Sequence, residues 1–234
     1  MYSDVFCQVY NEFGWNYYPE AFGQQLLQWL DQNRVKQKTS LDLGCGTGIL
    51  CGILHKNGIE ASGMDFSQGM IDIARESAPH IHYDVADMVT YRPEKQFDLV
   101  TCTGDALNHI PKLSDVEQIF RNVYDYLSPG GYFIFDILNE NEVSTSEPFE
   151  MDFSETVRVW FQMTCPGERS VNLRVRVYEN GQLQFEENIR ETVHDPAVVC
   201  QLLKKCGFSV LKCADRLLDN GENHGTTWFI IARK

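Results

Sequence analysis

The chain has 234 residues, 43% hydrophobic and 23% charged, which excludes a disordered or collagen-like polymer and suits one large α/β unit or two small ones. Thirty-three acidic residues against 20 basic ones give a net charge of −13. Nucleic-acid affinity rests on neutralised phosphates, so this balance argues against duplex DNA or tRNA as a partner.

In chain order, Tyr2, Phe6 and Tyr10 recur at i, i+4, i+8 and predict a short amphipathic helix. A second helix is expected over 19–35, with Phe22, Leu26, Leu27, Trp29 and Leu30 as its buried stripe. Strands are then expected over 40–43, 59–64, 81–84, 97–102 and 132–138, separated by helices over 47–57, 68–78 and 114–127. That alternation predicts a parallel sheet with helices on both faces. After Asn139 the texture changes to segments 151–163 and 170–193, rich in Val, Phe, Trp and Arg. Val171, Leu173, Val175 and Val177 alternate with Asn172, Arg174 and Arg176, the pattern of a half-exposed strand. Asn180-Gly181 suits a type I′ turn that returns the chain through Leu183 and Phe185. Asp195 is placed to cap a helix running to Cys206, which Gly207 stops, and strands over 208–214 and 227–232 follow, paired through a loop at Asn220-Gly221.

No apolar run nears the roughly 18 residues that span a bilayer, and the N-terminus does not read as a signal peptide. The eight cysteines include no C-x-x-C pair, so neither a disulfide framework nor a zinc site is expected. These features lead us to expect a cytoplasmic protein with reduced thiols, touching no membrane and holding no metal.

The most informative stretch is Leu41-Asp42-Leu43-Gly44-Cys45-Gly46-Thr47-Gly48, a strand running through alternate glycines into a helix. Glycines let the backbone turn sharply beside a ligand, and the helix start offers unpaired N–H groups. By itself the turn suits a dinucleotide, another adenosyl ligand or a purely structural role. A dinucleotide fingerprint wants Gly or Ala where this chain has Ile49, and Asp42 would repel a pyrophosphate. The ammonium of S-adenosylmethionine would instead be attracted. Asp65, seventeen residues beyond Gly48 at the tip of the second strand, is placed to accept both ribose hydroxyls, or to close a turn. Asp87 at the end of the third strand can accept from an adenine amino group while Met88 packs on the ring; the bland alternative is a turn Asp with a core Met.

With LDLGCGTG, GMDFSQGM, VADM, FDLVTCTGDALNHI and LSPGGYFIFDI in this order, the chain resembles the class I S-adenosylmethionine-dependent methyltransferases, tightly over 37–138. The resemblance implies a Rossmann-like, mostly parallel seven-stranded sheet of order 3-2-1-4-5-7-6, with an antiparallel β-meander added after strand five. It implies a cofactor, S-adenosyl-L-methionine, bounded by Tyr10, Asp42, Gly44, Cys45, Gly46, Gly48, Asp65, Phe66, Met70, Asp87, Met88 and Thr103. Within the class, the Tyr-rich N-terminal helix and the meander look like small-molecule N-methyltransferases of the glycine and amino-sugar groups. A single domain is expected: 1–36 as N-terminal helices and lid, 37–139 with 194–234 as the cofactor core, and 140–193 as a cap over the acceptor.

Methyl transfer from a sulfonium is an in-line displacement that chiefly needs alignment and the exclusion of water. Open α/β sheets bind ligands at the carboxyl ends of their strands, which focuses attention on 101–109. His109 there is a candidate base or substrate partner, or a residue that merely satisfies its turn. Asp105 can pair with a substrate ammonium, raise and orient the His109 imidazole, or cap the following short helix. Tyr10, Trp15, Tyr17 and Tyr18 form an aromatic lid or ordinary packing. Thr103-Gly104-Asp105-Ala106 departs from the Asp/Asn-Pro-Pro-Tyr turn of amino-group DNA methyltransferases, and no Pro-Cys nucleophile is present. Arg174 and Arg176 mark a solvated face or greet an anionic substrate. The expectation is a methyltransferase acting on a small molecule, with an amine as acceptor, working as a monomer or homodimer. A non-catalytic S-adenosylmethionine binder is the alternative, and a nicotinamide oxidoreductase is disfavoured by Ile49 and Asp42.

Overall fold

The computed structural model describes residues 3–139, 143–167, 169–218 and 227–234. Its centre is β1 (Thr39–Leu43), buried at every position after the first, as befits a strand covered on both faces. β2 (Glu60–Asp65) and β4 (Phe97–Cys102) flank it in parallel, with β3 (His82–Val85) outside β2. β5 (Leu127–Leu138) joins β4 in parallel, then β11 (Thr227–Arg233) and β10 (Ser209–Ala214) pair antiparallel. The order β3-β2-β1-β4-β5-β11-β10 is the expected 3-2-1-4-5-7-6 sheet, with β10 and β11 as its sixth and seventh strands. The loop containing Asn220-Gly221 lies outside the described residues.

α2 (Tyr17–Gln32) and α3 (Ile49–Lys56) bury Phe22, Leu26, Leu50 and Leu54 against one face of the sheet, over Leu99, Ile134 and Phe229. α5 (Leu113–Tyr126) and α6 (Pro196–Lys205) bury Ile119, Phe120, Val199 and Leu203 on the other, over Val100, Phe133 and Phe135. Helix ends follow local chemistry. α2 stops before residue 35 because Arg34 is left-handed, at φ 55°, and the Asn33 side chain donates back to the Trp29 carbonyl. α3 starts after Gly48, which is itself left-handed, so Thr47 stays outside the helix. Asp195 accepts from the N–H groups of Ala197 and Val198 and caps α6 as expected. Among the described residues no helix is long and apolar enough to cross a membrane.

A separate antiparallel sheet follows β5: β6 (Phe149–Asp152), β7 (Val157–Gly167), β8 (Ser170–Glu179) and β9 (Gln182–Thr192), in that order. Asn180 and Gly181 are both left-handed and join Glu179 to Gln182, the two-residue turn the Asn-Gly pair predicts. Val171, Val175 and Val177 are buried. Arg174 and Arg176 instead meet Glu186 of β9, and Arg176 lies over the Trp160 ring, so both belong to a solvated face.

α1 (Asp4–Val9) wedges between the two sheets. Phe6, fully buried, packs with Met70 and Ile73 of α4 (Gln68–Ser77) and with Ile189 and Phe185 of β9. Trp15 continues the wedge, 4.9 Å from the Phe6 ring and 6.0 Å from Phe161 of β7. At the opposite margin Asn108 is fully buried: its Nδ2 donates to the Thr192 carbonyl at the end of β9, and its Oδ1 accepts from the Leu138 N–H at the end of β5.

Candidate functional site

The strand β1 delivers the chain into a turn in which Gly44, Gly46 and Gly48 all have positive φ. The N–H groups of Gly44 and Cys45 both donate to the Met64 carbonyl, which pins the turn to the end of β2. A Cβ on Gly44 would sit 2.7 Å from that of Ala106, so here the turn and the segment after β4 approach as only glycine permits. A Cβ on Gly46 would meet nothing within 4 Å, so the turn is open to space at that point. Thr47 Oγ1 donates to Asn11 Oδ1 at 2.9 Å, tying the turn to the N-terminal segment.

Asp65 closes β2 with its carboxylate accepting from Gly46 N–H at 3.0 Å and Ser67 N–H at 2.8 Å. Burial pushes its carboxyl up, while those backbone donors pull it down. Its neighbour Phe66 is 55% exposed, an apolar ring open to solvent just beyond β2. Asp87 is exposed after β3 and turns one oxygen onto the Val89 N–H, while Met88 reaches toward Gly44 with its methyl. Thr103 follows β4, half-buried at the same end of the sheet.

Three of the expected cofactor residues have other surroundings. Met70 is 1% exposed and faces α1, because the Ser67 cap sets it in the first turn of α4 on the side that holds Phe6. It supports the wedge rather than the cleft. Cys45 turns its side chain inward, where the sulfur fills the space a Gly63 Cβ would occupy and the thiol donates to the Gly46 carbonyl. Asp42 is 3% exposed and accepts from Thr101 Oγ1 at 2.7 Å, so it lies under the turn instead of lining it. Burial raises its carboxyl to about 7.

The end of β4 is organised by a residue the motif reading missed. Asp136 of β5 is fully buried, accepts from the N–H groups of Gly104 and Asp105 at 3.0 Å each, and takes the Tyr18 hydroxyl at 2.6 Å. This clamp holds Asp105 at φ 59°, a conformation that costs free energy without such support. Asp136 is lifted to about 6 by burial, and Asp105 well above the usual range by burial and then by Asp136 and Glu191. Glu191, at the end of β9, is carried to about 7 by burial. Tyr10 stacks on Trp15, and burial, then the charges of Asp105, Asp65 and Glu191, raise its hydroxyl.

His109 does not pair with Asp105. Its Nε2 is 3.8 Å from Glu191 Oε1, and burial lowers its pKa, whereas Asp105 was expected to raise it. The short 3₁₀ helix Ala106–His109 carries the imidazole away from the left-handed Asp105 and toward β9. Asp105 makes no side-chain cap bond to that helix. A second histidine, His194, is 2% exposed and bonds the Ile110 carbonyl at 2.9 Å, bracing the far end of the same segment. Of the expected aromatic lid, Tyr10, Trp15 and Tyr18 face inward, but Tyr17 is 69% exposed.

The sheet order, the glycine turn closing β1 and the carboxylates closing β2 and β3 define a methyltransferase of the S-adenosylmethionine-dependent, Rossmann-like class. Residues 41–131 match the family described as a methyltransferase domain. A proposed methyltransferase of Geobacillus sp. (strain WCH70) is 26% identical over 227 residues, covering 92% of this chain and 91% of its own. An S-adenosylmethionine-dependent methyltransferase structure from Clostridium acetobutylicum superposes with a TM-score of 0.80 at 21% identity, over 92% of this chain and 91% of that one. CalS10, an amino pentose methyltransferase from Micromonospora echinaspora solved with S-adenosylmethionine bound, superposes at 0.77 and 18% identity over 100% and 98%. At such identities the superpositions speak to the fold.

Proposed function

We propose that this methyltransferase acts on a basic amine of a small molecule, held between the end of β4 and the second sheet. The observation that carries the reading is the half-buried convergence of Asp105, Glu191 and Tyr10 beside Asp65. Burial and mutual repulsion leave these carboxyls short of compensating charge, and a cationic acceptor relieves both. The likeness to an amino pentose methyltransferase supports the same chemistry.

The cradle suits the cofactor. Open space at Gly46 admits a ligand against the turn, and Asp65 is already oriented by two backbone donors to accept the ribose hydroxyls. Asp87 accepts from the adenine amino group, Met88 and Phe66 offer apolar surface to the ring, and Thr103 and Tyr10 border the methionine end. Asp42 acts through its field from beneath the turn. S-adenosylmethionine supplies a methyl group already activated by a positively charged sulfur. The chain's own part is alignment, shielding from water and control of one proton. Glu191 and Asp105 hold the ammonium; Glu191, at about 7, takes its proton near neutral pH, with the neutral His109 imidazole 3.8 Å away to share it. The segment 1–36 and the second sheet, 140–193, form the roof of that acceptor space within a single domain.

Transfer of labelled methyl groups to a panel of amines, amino sugars among them, tests the reading. Glu191→Gln is expected to lower kcat/KM by roughly 10²-fold and to remove the limb of the pH profile near 7. Preferential labelling of a hydroxyl or carbon acceptor would overturn the amine assignment, and cofactor binding without any turnover would favour the binder over the enzyme.

A further inference from the structure

The glycine turn and the turn after β2 meet at Asp65. Its Oδ2 accepts from the Gly46 N–H at 3.0 Å and its Oδ1 from the Ser67 N–H at 2.8 Å, so each turn holds one oxygen. A carboxylate oxygen has two lone pairs, and each therefore keeps one for a ligand. The side chains at those two donors are held in turn, both of them by the N-terminal segment. Thr47, which follows Gly46 and is 3% exposed, donates its hydroxyl to Asn11 Oδ1 at 2.9 Å. Ser67 Oγ and Cys7 Sγ form a buried hydrogen bond of 3.5 Å. Cys7 lies on α1 and Asn11 two residues past its end, a separation of one helical turn, and Tyr10 between them keeps right-handed helical angles. The bonds close a ring that runs from Asp65 through Gly46, Thr47, Asn11, Cys7 and Ser67 back to Asp65. The segment that closes it is itself fixed. Phe6 is fully buried against α4 and β9, and Ser3 caps α1 by accepting the Phe6 N–H at 3.2 Å.

We propose that Asn11 and Cys7 are positioning residues for the cofactor, which hold Thr47 and Ser67 and through them keep the Asp65 carboxylate aimed at the ribose hydroxyls. The inference rests on the assignment of Asp65 as the ribose acceptor and is independent of the methyl acceptor. Neither residue needs to touch the ligand. Gly44, Gly46 and Gly48 give the turn a backbone free to rotate, and the Asn11 bond restrains it between the second and third of them. The Cys7 bond restrains Ser67 in the same way on the other side of Asp65. Where either bond is missing, binding has to order the carboxylate as well as the ligand, and the affinity falls. Ser3 also ties this segment down, through Glu187 of β9, but that contact reaches neither turn.

The test is calorimetry of the full-length chain with S-adenosylhomocysteine, the demethylated form of the cofactor. Asn11→Ala and Thr47→Val remove the same bond, so each should weaken binding about three- to tenfold, and the double variant should be little worse than either. Cys7→Ala is expected to cost a similar factor. Thr47→Ser keeps the hydroxyl and should bind within about twofold of the wild type. Glu187→Gln, which loosens the segment away from both turns, should do the same. The deciding measurement places Asn11→Ala in an Asp65→Ala background, where it should cost less than about twofold because the group it positions is gone. A residue that touched the ligand, or one that only supported the fold, would cost the same factor in both backgrounds, and that result would overturn the proposal. Wild-type affinity in Asn11→Ala, beside a clear loss in Asp65→Ala, would overturn it alone. Unchanged affinity in Asp65→Ala would overturn the ribose assignment and this inference with it.

Discussion

Asp42→Asn separates the cost of the buried carboxylate from its use. Asp42 is 3% exposed and its carboxyl rises from the ordinary 3.8 to about 7, chiefly through burial, against the pull of the Thr101 hydroxyl. At about 1.4 kcal/mol per pH unit, ionising this group costs the folded protein up to about 4 kcal/mol relative to the unfolded chain. The folded state binds the proton more tightly, so the stabilisation is complete below about pH 4, is lost as pH rises toward 7, and stays lost above it. Asparagine keeps an acceptor for Thr101 and carries no charge. Allowing about half the ceiling for relaxation around the carboxylate, the variant should gain about 2 kcal/mol at pH 8. For a chain of this size that is a rise in Tm of about 4–8 °C. Thermal unfolding of both proteins at pH 8 and pH 4.5 is the assay, because other titrating groups cancel in the difference. The gain should shrink strongly at pH 4.5, and cofactor affinity should fall at pH 8 but not at pH 4.5, where Asp42 is already uncharged. A difference in Tm that does not change with pH, or a less stable variant at pH 8, would refute the argument.

Asp65→Ala removes the acceptor assigned to the ribose hydroxyls, at about 1.5–3 kcal/mol for each bond to a charged group, and calorimetry should record at least a tenfold loss of S-adenosylmethionine affinity. His109→Ala is expected to slow turnover by roughly 10²–10⁴ while cofactor affinity stays within a few-fold. His109→Gln keeps a polar group that cannot take the proton, so it should match alanine; recovery toward the wild-type rate would make His109 a hydrogen-bonding residue and not a base.

What the sequence made legible was local. Glycines at 44, 46 and 48, the Asn180-Gly181 turn and the Asp195 cap each act within a few residues, and each stands where its chemistry requires. The β4 limits, Phe97–Cys102, coincide with the expectation because an apolar run bounded by turns leaves little choice. Side-chain direction was not legible. Met70 sits inside a cofactor motif, yet the rotation of α4 set by Ser67 turns it to α1. Cys45 lies in the turn, but Gly63 on the neighbouring strand leaves the space that draws its sulfur inward. Asp136 did leave a signal, a lone acid within Tyr132-Phe133-Ile134-Phe135-Asp136-Ile137, where a fully buried carboxylate needs several donors. Glu191 left none, since its role depends on β9 returning beside a segment more than eighty residues earlier. The His109–Asp105 pairing failed for a related reason: a left-handed residue followed by a 3₁₀ helix separates side chains that are close in sequence.

Asn108 gives the junction of the two sheets an asymmetry. Its amide joins the last residues of β5 and β9 from a site without solvent, and removing either partner would strand a buried polar group. Of the polar contacts at the other margin, Ser3 to Glu187 is exposed, where water replaces it at little cost, while Thr47 to Asn11 is part-buried. Among these polar ties, the Ser3–Glu187 bonds are therefore the least costly to part and the Asn108 rivet the most.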